Sequence, residues 1–320
     1  MIKKYFSIFC ILFFFVASEA QQATQYSQFM LNDFVQNPAV AGANKGLMVM
    51  LGRRTQWRGF AYAPETNFAS ITKDYGKKGY RRYWHGVGAY LEQDKFGIFS
   101  NKAAYASYAI HLKLSPKYYL SFGIAAGVKS VALNTSIYGV NDPALDVKDY
   151  KVVLPDITPG LYLYSKKLSM GVSIKNIYKN TLKQGSKEIG TDGRLAPTLF
   201  FSMNSKFRSA GYDFIFVPGL NVQSNFLGIP SAQANFMAYF RQRIGLGVSY
   251  RSQDAVSAIL QIRILKNVLV GFAYDYTVSR FRAANANSTE FMMGFSPVMA
   301  SEGYDKPGGA ADCPKFDFDY

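Results

Sequence analysis

Residues 267–278 read NVLVGFAYDYTV, and this stretch decides the fold. Val268, Val270, Phe272, Tyr274, Tyr276 and Val278 share one parity, and Leu269, Gly271, Ala273, Asp275 and Thr277 share the other. A strand sends successive side chains to opposite faces, so one face here is apolar and aromatic while the other mixes small and charged groups. The alternation recurs. Ile244, Leu246, Val248 and Tyr250 are set against Arg243, Gly245, Gly247, Ser249 and Arg251. Leu120, Phe122, Ile124, Ala126 and Val128 are set against Tyr119, Ser121, Gly123, Ala125 and Gly127. Segments of about ten residues, apolar on one side and rich in Gly, Ser and Arg on the other, are the dyad pattern of an outer-membrane barrel. Its apolar face meets lipid and its polar face lines the lumen.

Composition agrees. Aromatic residues make up 16% of the 320-residue chain and charged residues 18%, with a mean hydropathy of −0.04. A disordered chain would lack aromatics, and a helical membrane protein would be far more hydrophobic. Two His in total exclude a His-rich metal centre. At the start, Lys3 and Lys4 precede an apolar run from Tyr5 to Val16, and Ser18-Glu19-Ala20 offers a cleavage site. Residues 1–20 therefore read as a secretory signal peptide cut before Gln21. The run is too short for a spanning helix, and Cys10 lies inside it and not at a lipidation position. Loss of Lys3, Lys4 and Glu19 leaves 34 basic and 20 acidic residues, and one cysteine, Cys313, which leaves no intrachain disulfide.

The pattern predicts about 14 antiparallel strands, near 46–53, 65–74, 84–93, 102–113, 118–131, 158–165, 168–177, 195–206, 211–218, 231–241, 243–251, 255–265, 267–278 and 289–297. An even number suits a single-chain bacterial barrel. Connections after even-numbered strands are mostly tight, and those after odd-numbered strands, such as 54–64, 94–101 and 132–157, are mostly longer. Short turns belong to the periplasmic rim, so both ends of the barrel (46–297) are expected there. Outside it stand a periplasmic N-terminal segment, 21–45, and a periplasmic C-terminal tail, 298–320. Tyr26, Met30 and Phe34 recur at four-residue spacing in the first, and Pro38 ends any helix before Asn37. The tail is acidic, with Glu302, Asp305, Asp312, Asp317 and Asp319 against Lys306 and Lys315.

The blocks QYSQFMLNDFVQNPAVAG (25–42), RTQWRGFAYAPET (54–66), GVGAYLEQDKFG (86–97), YASYAIHLKL (105–114) and CPKF (313–316) together resemble the PorP/SprF family of outer-membrane proteins. That family accompanies the type IX secretion and gliding motility machinery of Bacteroidota. The resemblance implies a non-enzymatic component supporting secretion, anchoring or surface display of adhesins. It also implies periplasmic partners: a ring lipoprotein and an OmpA-like peptidoglycan-binding protein. No nucleic-acid partner and no cofactor is implied.

Read for chemistry, the same residues indicate contacts. Trp57, between Arg54 and Arg58 in the first outer connection, suits an interfacial anchor whose arginines meet lipopolysaccharide phosphates, or a contact for a secreted substrate. Asn37-Pro38 and Gly42 read as a turn fixing how the leading segment enters the barrel, and Asp94 with Gly97 as a hairpin loop. Tyr26, Phe29, Met30 and Phe34 are too apolar for a solvated linker, so they either plug the periplasmic mouth or face a partner. Lys77, Lys78, Arg81, Arg82, Lys117, Lys166, Lys167, Lys206, Arg208, Arg241, Arg243 and Lys266 crowd the periplasmic turns, which hold no acid in this reading. Such a rim suits anionic lipid or an acidic docking partner.

Two other classes compete with this reading. An outer-membrane hydrolase needs a nucleophile with a base in reach, and only His85 and His111 could serve. Ser107 shares a face with His111 but lies roughly 13 Å along the strand. No phosphate loop, HExxH, CxxC or calcium loop is present. The other class is a porin. Arg241, Arg243, Arg251, Arg263, Lys113, Lys175 and Lys206 fall on the non-apolar parity, so an open pore would favour anions.

Overall fold

The computed structural model describes residues 24–76, 82–133, 150–178, 195–209, 213–226, 228–265, 267–279 and 286–297, with positions 181, 183–184 and 187–188 between. Among these, fourteen long strands form one antiparallel barrel: β1 (Leu47–Arg58), β2 (Glu65–Tyr75), β3 (Tyr83–Phe96), β4 (Phe99–Lys113), β5 (Tyr119–Leu133), β6 (Tyr150–Tyr164), β7 (Leu168–Lys175), β8 (Thr198–Ser205), β9 (Phe214–Ser224), β10 (Ser231–Phe240), β11 (Ile244–Arg251), β12 (Ala255–Leu265), β13 (Val268–Thr277) and β14 (Asn287–Phe295). Each pairs with its sequence neighbour, and β14 pairs with β1 (Met50 opposite Gly294) to close the ring. Closure leaves no strand of the ring with only one neighbour.

The alternation translates directly. On β13, Phe272, Tyr274 and Tyr276 are 42–46% exposed on the outer wall, while Leu269, Ala273, Asp275 and Thr277 are at most 1% exposed inside. Apolar exposure all round the barrel suits a hydrocarbon surround. One rim carries the connections 76–82, 114–118, 165–167, 206–213, 241–243 and 266–267. The other carries 59–64, 97–98, 134–149, 176–197, 225–230, 252–254 and 278–286. The first is the periplasmic rim by its short turns. The chain enters β1 and leaves β14 there.

Strand ends differ from the sequence reading, chiefly at the outer rim. β1 runs to Arg58, β3 to Phe96, and β6 starts at Tyr150, so the expected 94–101 connection shrinks to a turn at 97–98. The ladders continue where Glu92, Asp94, Asn101 and Lys102 replace the apolar residues, so no apolar alternation marks the strand there. Trp57 thus belongs to β1, at a bulge between Thr55 and Arg58, with φ 48° and its N–H donating to Ser288 Oγ at 3.1 Å.

One seam is short. β6 pairs with β7 only over Gly160–Tyr164, against Ser169–Ser173, although it pairs with β5 along its whole length. Pro155 and Pro159 lie above that ladder, and neither has an N–H to offer a second neighbour.

The barrel is not hollow. Residues 26–43 are buried inside it, coiled as a 3₁₀ turn (Phe29–Leu31), a single α turn (Asp33–Gln36) and a second 3₁₀ turn (Pro38–Val40). The spacing of Tyr26, Met30 and Phe34 does not produce one continuous helix. Asn37 is extended (φ −134°, ψ 112°), as a residue before proline must be, and its side chain accepts from the Ala39 N–H.

Candidate functional site

The lumen with its internal segment is the candidate site, and register explains how the wall receives it. Gly86 of β3 stands opposite Ala109 of β4, Ala109 opposite Gly123 of β5, and Gly123 opposite Gly160 of β6. Four adjacent strands therefore present a belt of small residues. The backbone of Pro38–Gly42 lies against it. A Cβ at Gly86 would collide with the Ala41 carbonyl, and one at Gly123 with the Ala39 backbone. Gly42 itself holds φ 75° against Gly86.

One row nearer the periplasm, Trp84, His111, Ser121 and Tyr162 are opposed in turn. Trp84 Nε1 donates to the Gly42 carbonyl at 3.0 Å, and His111 Nε2 lies 2.7 Å from the Ala41 carbonyl. Only an N–H can meet a carbonyl there, so Nε2 carries the proton and Nδ1 accepts from Tyr164 Oη at 2.7 Å. The indole and imidazole rings stack at 5.0 Å and 4°. Of the two possible bases, then, His111 is held by the Ala41 carbonyl and Tyr164 Oη, while His85 faces outward beside Tyr108 Oη at 2.6 Å.

In the middle, Phe29 and Met30 pack with Ile215, Val217, Met237, Tyr239, Ile259 and Ala273. Phe34 meets Tyr90 edge-on at 5.9 Å. Burial of each such side chain is worth about 1.5–3 kcal/mol. Several polar groups of the segment are matched as well. Asn37 Nδ2 donates to the Leu161 carbonyl at 2.8 Å, Ser173 Oγ to the Gln36 carbonyl at 2.6 Å, and Asn221 Nδ2 to Gln36 Oε1 at 2.7 Å.

At the outer end the wall becomes ionic. Ser27 Oγ donates to the Asp275 carboxylate at 2.7 Å and accepts from Arg54 Nη1 at 2.8 Å and Arg251 Nη2 at 3.0 Å. Glu290 takes both the Ser27 N–H (2.8 Å) and the Gln28 N–H (2.9 Å). Gln233 and Asn235 donate to the Ser27 carbonyl at 2.9 and 3.1 Å. Arg54 pairs with Asp275 at 2.7 Å and Glu290 at 3.2 Å, and Arg251 with Asp254 at 2.8 Å. Arg54, Arg251, Asp275 and Glu290 are each only 1% exposed. Arg54 is therefore not a lipopolysaccharide contact. Even-spaced lumen parity turns it inward, where two carboxylates compensate the cost of its burial.

Tyr26, Phe29, Met30 and Phe34 are all buried in the lumen, at most 7% exposed, with Tyr26 Oη donating to Glu92 at 3.0 Å. Trp57 is half-buried and Arg58 exposed at the outer rim; Arg82, Lys166 and Lys167 are exposed at the periplasmic rim. Lys77, Lys78 and Arg81, like the signal peptide and the acidic tail, lie outside the described residues. The periplasmic turns are not free of acid: β9 begins at Phe214, so Asp213 falls in the turn before it and pairs with Arg241 at 3.0 Å. Sequence reasoning missed Ser27, Asp275, Glu290, Trp84 and the small-residue belt. Charge and glycine on the lumen parity were the available signals.

No curated protein matches the chain. Among solved structures it is similar to a mutant of the TodX monoaromatic hydrocarbon channel (TM-score 0.49, 9% identity, covering 82% of this chain and 93% of that one). It is also similar to the CymD monoaromatic hydrocarbon channel (0.48, 13%, 85% and 92%) and to the Acinetobacter baumannii outer membrane protein Omp33 (0.47, 8%, 80% and 99%). The family described as type IX secretion system membrane protein PorP/SprF matches residues 18–295. With that match spanning nearly the whole barrel, the chain belongs to the PorP/SprF family and is a multi-pass protein of the outer membrane.

Proposed function

We propose that this type IX secretion component supports secretion or surface display of an adhesin or other type IX substrate, and docks periplasmic subunits of the machinery at its inner rim. The observation carrying this reading is that the lumen is filled by the protein's own segment while charged surface remains exposed at the rim. A filled lumen is no conduit for a folded or unfolded substrate, so the barrel acts as an anchor and not as the passage. Arg82, Lys117, Lys166, Lys167, Arg208 and Arg243 are exposed around the periplasmic rim. Such a ring attracts anionic lipid and steers acidic protein surfaces alike. The ring lipoprotein and the OmpA-like protein expected of the family are the partners proposed for it.

Affinity capture from cross-linked membranes tests the reading. Reversal of Arg82, Lys117, Lys166 and Lys167 to Glu should leave barrel levels normal and abolish co-purification of periplasmic subunits, together with secretion. Unchanged capture and secretion would reduce the ring to a lipid contact. Planar-bilayer recording separates the porin: the filled lumen predicts no large steady current, whereas a large anion-selective conductance would replace the anchor with a channel.

A further inference from the structure

The direction of the internal segment has a consequence for topology, independent of any secretion role. Gly42 lies at the periplasmic rim, against Gly86 and Trp84 near the start of β3. Asn37 lies further in, against Gly160 and Leu161 of β6. Met30 and Phe29 reach Gly219 in the middle of β9. Ser27 meets Asp275, Glu290 and Arg251, two of them within three residues of an outer strand end and the third at one. Gln25 Oε1 accepts from the hydroxyl of Ser231, the first residue of β10, at 3.4 Å. Read backwards along the chain, the segment climbs the full height of the barrel.

We propose that the segment is a through-lumen strap that carries the start of the mature chain to the cell surface, with the Ser27 cluster as its outer latch. Gln25 then stands at the outer rim, so the mature chain starts on the outer side although it enters β1 and leaves β14 at the periplasmic rim. The latch is built for one backbone. A single carboxylate, Glu290, takes two successive N–H groups, two side-chain amides take the carbonyl between them, and two guanidinium groups and a carboxylate take the hydroxyl. A merely space-filling plug needs none of these buried charges.

A short epitope placed directly before Gln25 tests the direction. On intact cells it should bind antibody, and an epitope after Lys306 should bind only after permeabilisation. An epitope before Gln25 that stains only in permeabilised cells, or a Lys306 epitope that stains on intact ones, overturns the proposal. Because an insertion can hinder assembly, a second test adds nothing: Gln25→Cys with Ser231→Cys in a Cys313→Ala chain. A short membrane-impermeant thiol cross-linker added outside, long enough to replace the Gln25 side chain, should join the two thiols in heat-modifiable, folded barrel. Folded barrel without the cross-link overturns the strap. Adding Ser27→Ala and Glu290→Gln should lower the cross-link yield severalfold; an unchanged yield overturns the latch.

Discussion

At the outer end of the lumen Ser27 meets two guanidinium groups and two carboxylates, whereas at the inner end Ala41 and Gly42 meet glycine, an indole and an imidazole. The same segment is thus held by charge at one end and by close backbone packing at the other. The two devices fail differently. Buried charges are costly to desolvate and tolerate the loss of a partner badly, but their geometry can relax. Backbone pressed on glycine has no side chain that can swing aside. The inner end should therefore be the harder to perturb mildly and the worse to perturb at all.

The largest effect is expected from Gly86→Leu or Gly123→Leu. Each places side-chain carbons where the Ala41 or Ala39 backbone lies. The inner half of the segment cannot remain, and about 4 kcal/mol or more of stability is lost, the top of the range for one substitution. The barrel wall itself stays paired, so heat-modifiable protein should persist while planar bilayers show current. Silent bilayers with Gly86→Leu would mean that the wall, not the segment, yields.

Next comes Arg54→Ala, which strands Glu290 inside the lumen and leaves Asp275 with Arg251 alone. Removal of one member of such a cluster costs about 3–5 kcal/mol. It should lower the temperature at which the folded gel band converts, yet leave the bilayer quiet, because the inner belt still holds. Exchange of the cluster for apolar groups of similar size (Arg54→Met, Asp275→Leu, Glu290→Met) should recover most of that loss without recovering the hold on Ser27. If the triple variant is as unstable as Arg54→Ala, the charges matter to the wall itself.

This contrast shows why the barrel was readable and its interior was not. Period-two alternation is local, so β13 was visible in NVLVGFAYDYTV and the strand count followed. The belt is invisible to any one strand: Gly86, Ala109, Gly123 and Gly160 become neighbours only once four registers are known. The same holds for Arg54, Arg251, Asp275 and Glu290, which lie on four strands and meet only because the ring closes between β14 and β1. Their shared lumen parity was legible; their mutual compensation was not. The outer strand ends escaped for another reason, since hydrogen-bonded ladder continues where the hydrophobic signal has stopped.

Substitution at the inner pair should be milder. His111→Phe keeps the stack on Trp84 but leaves the Ala41 carbonyl without its donor, and Trp84→Phe does the same to Gly42. Loss of one buried partner costs about 1–3 kcal/mol. The expected readout is a lower conversion temperature with no bilayer current, and a near-additive double variant would show that the two bonds act separately. A current in either single variant would make the hydrogen bonds, and not the glycine belt, the seal.

The smallest effect should come from Ser27→Ala, although Ser27 is the most heavily bonded residue of the segment. Alanine removes only the hydroxyl. The Ser27 N–H still reaches Glu290, its carbonyl still receives Gln233 and Asn235, and Arg54 keeps both Asp275 and Glu290. What remains is one unmet guanidinium N–H from Arg54 and one from Arg251, in a network dense enough to close over them, so about 1 kcal/mol is expected. Raised salt should not change that figure, because the groups are buried and screened little by ions. Conversion temperatures for Ser27→Ala and Arg54→Ala, measured at low and high salt, decide the matter. Should Ser27→Ala prove as damaging as Arg54→Ala, the hydroxyl would be what organises the charges, and the outer end would be held by a single group and not by a cluster.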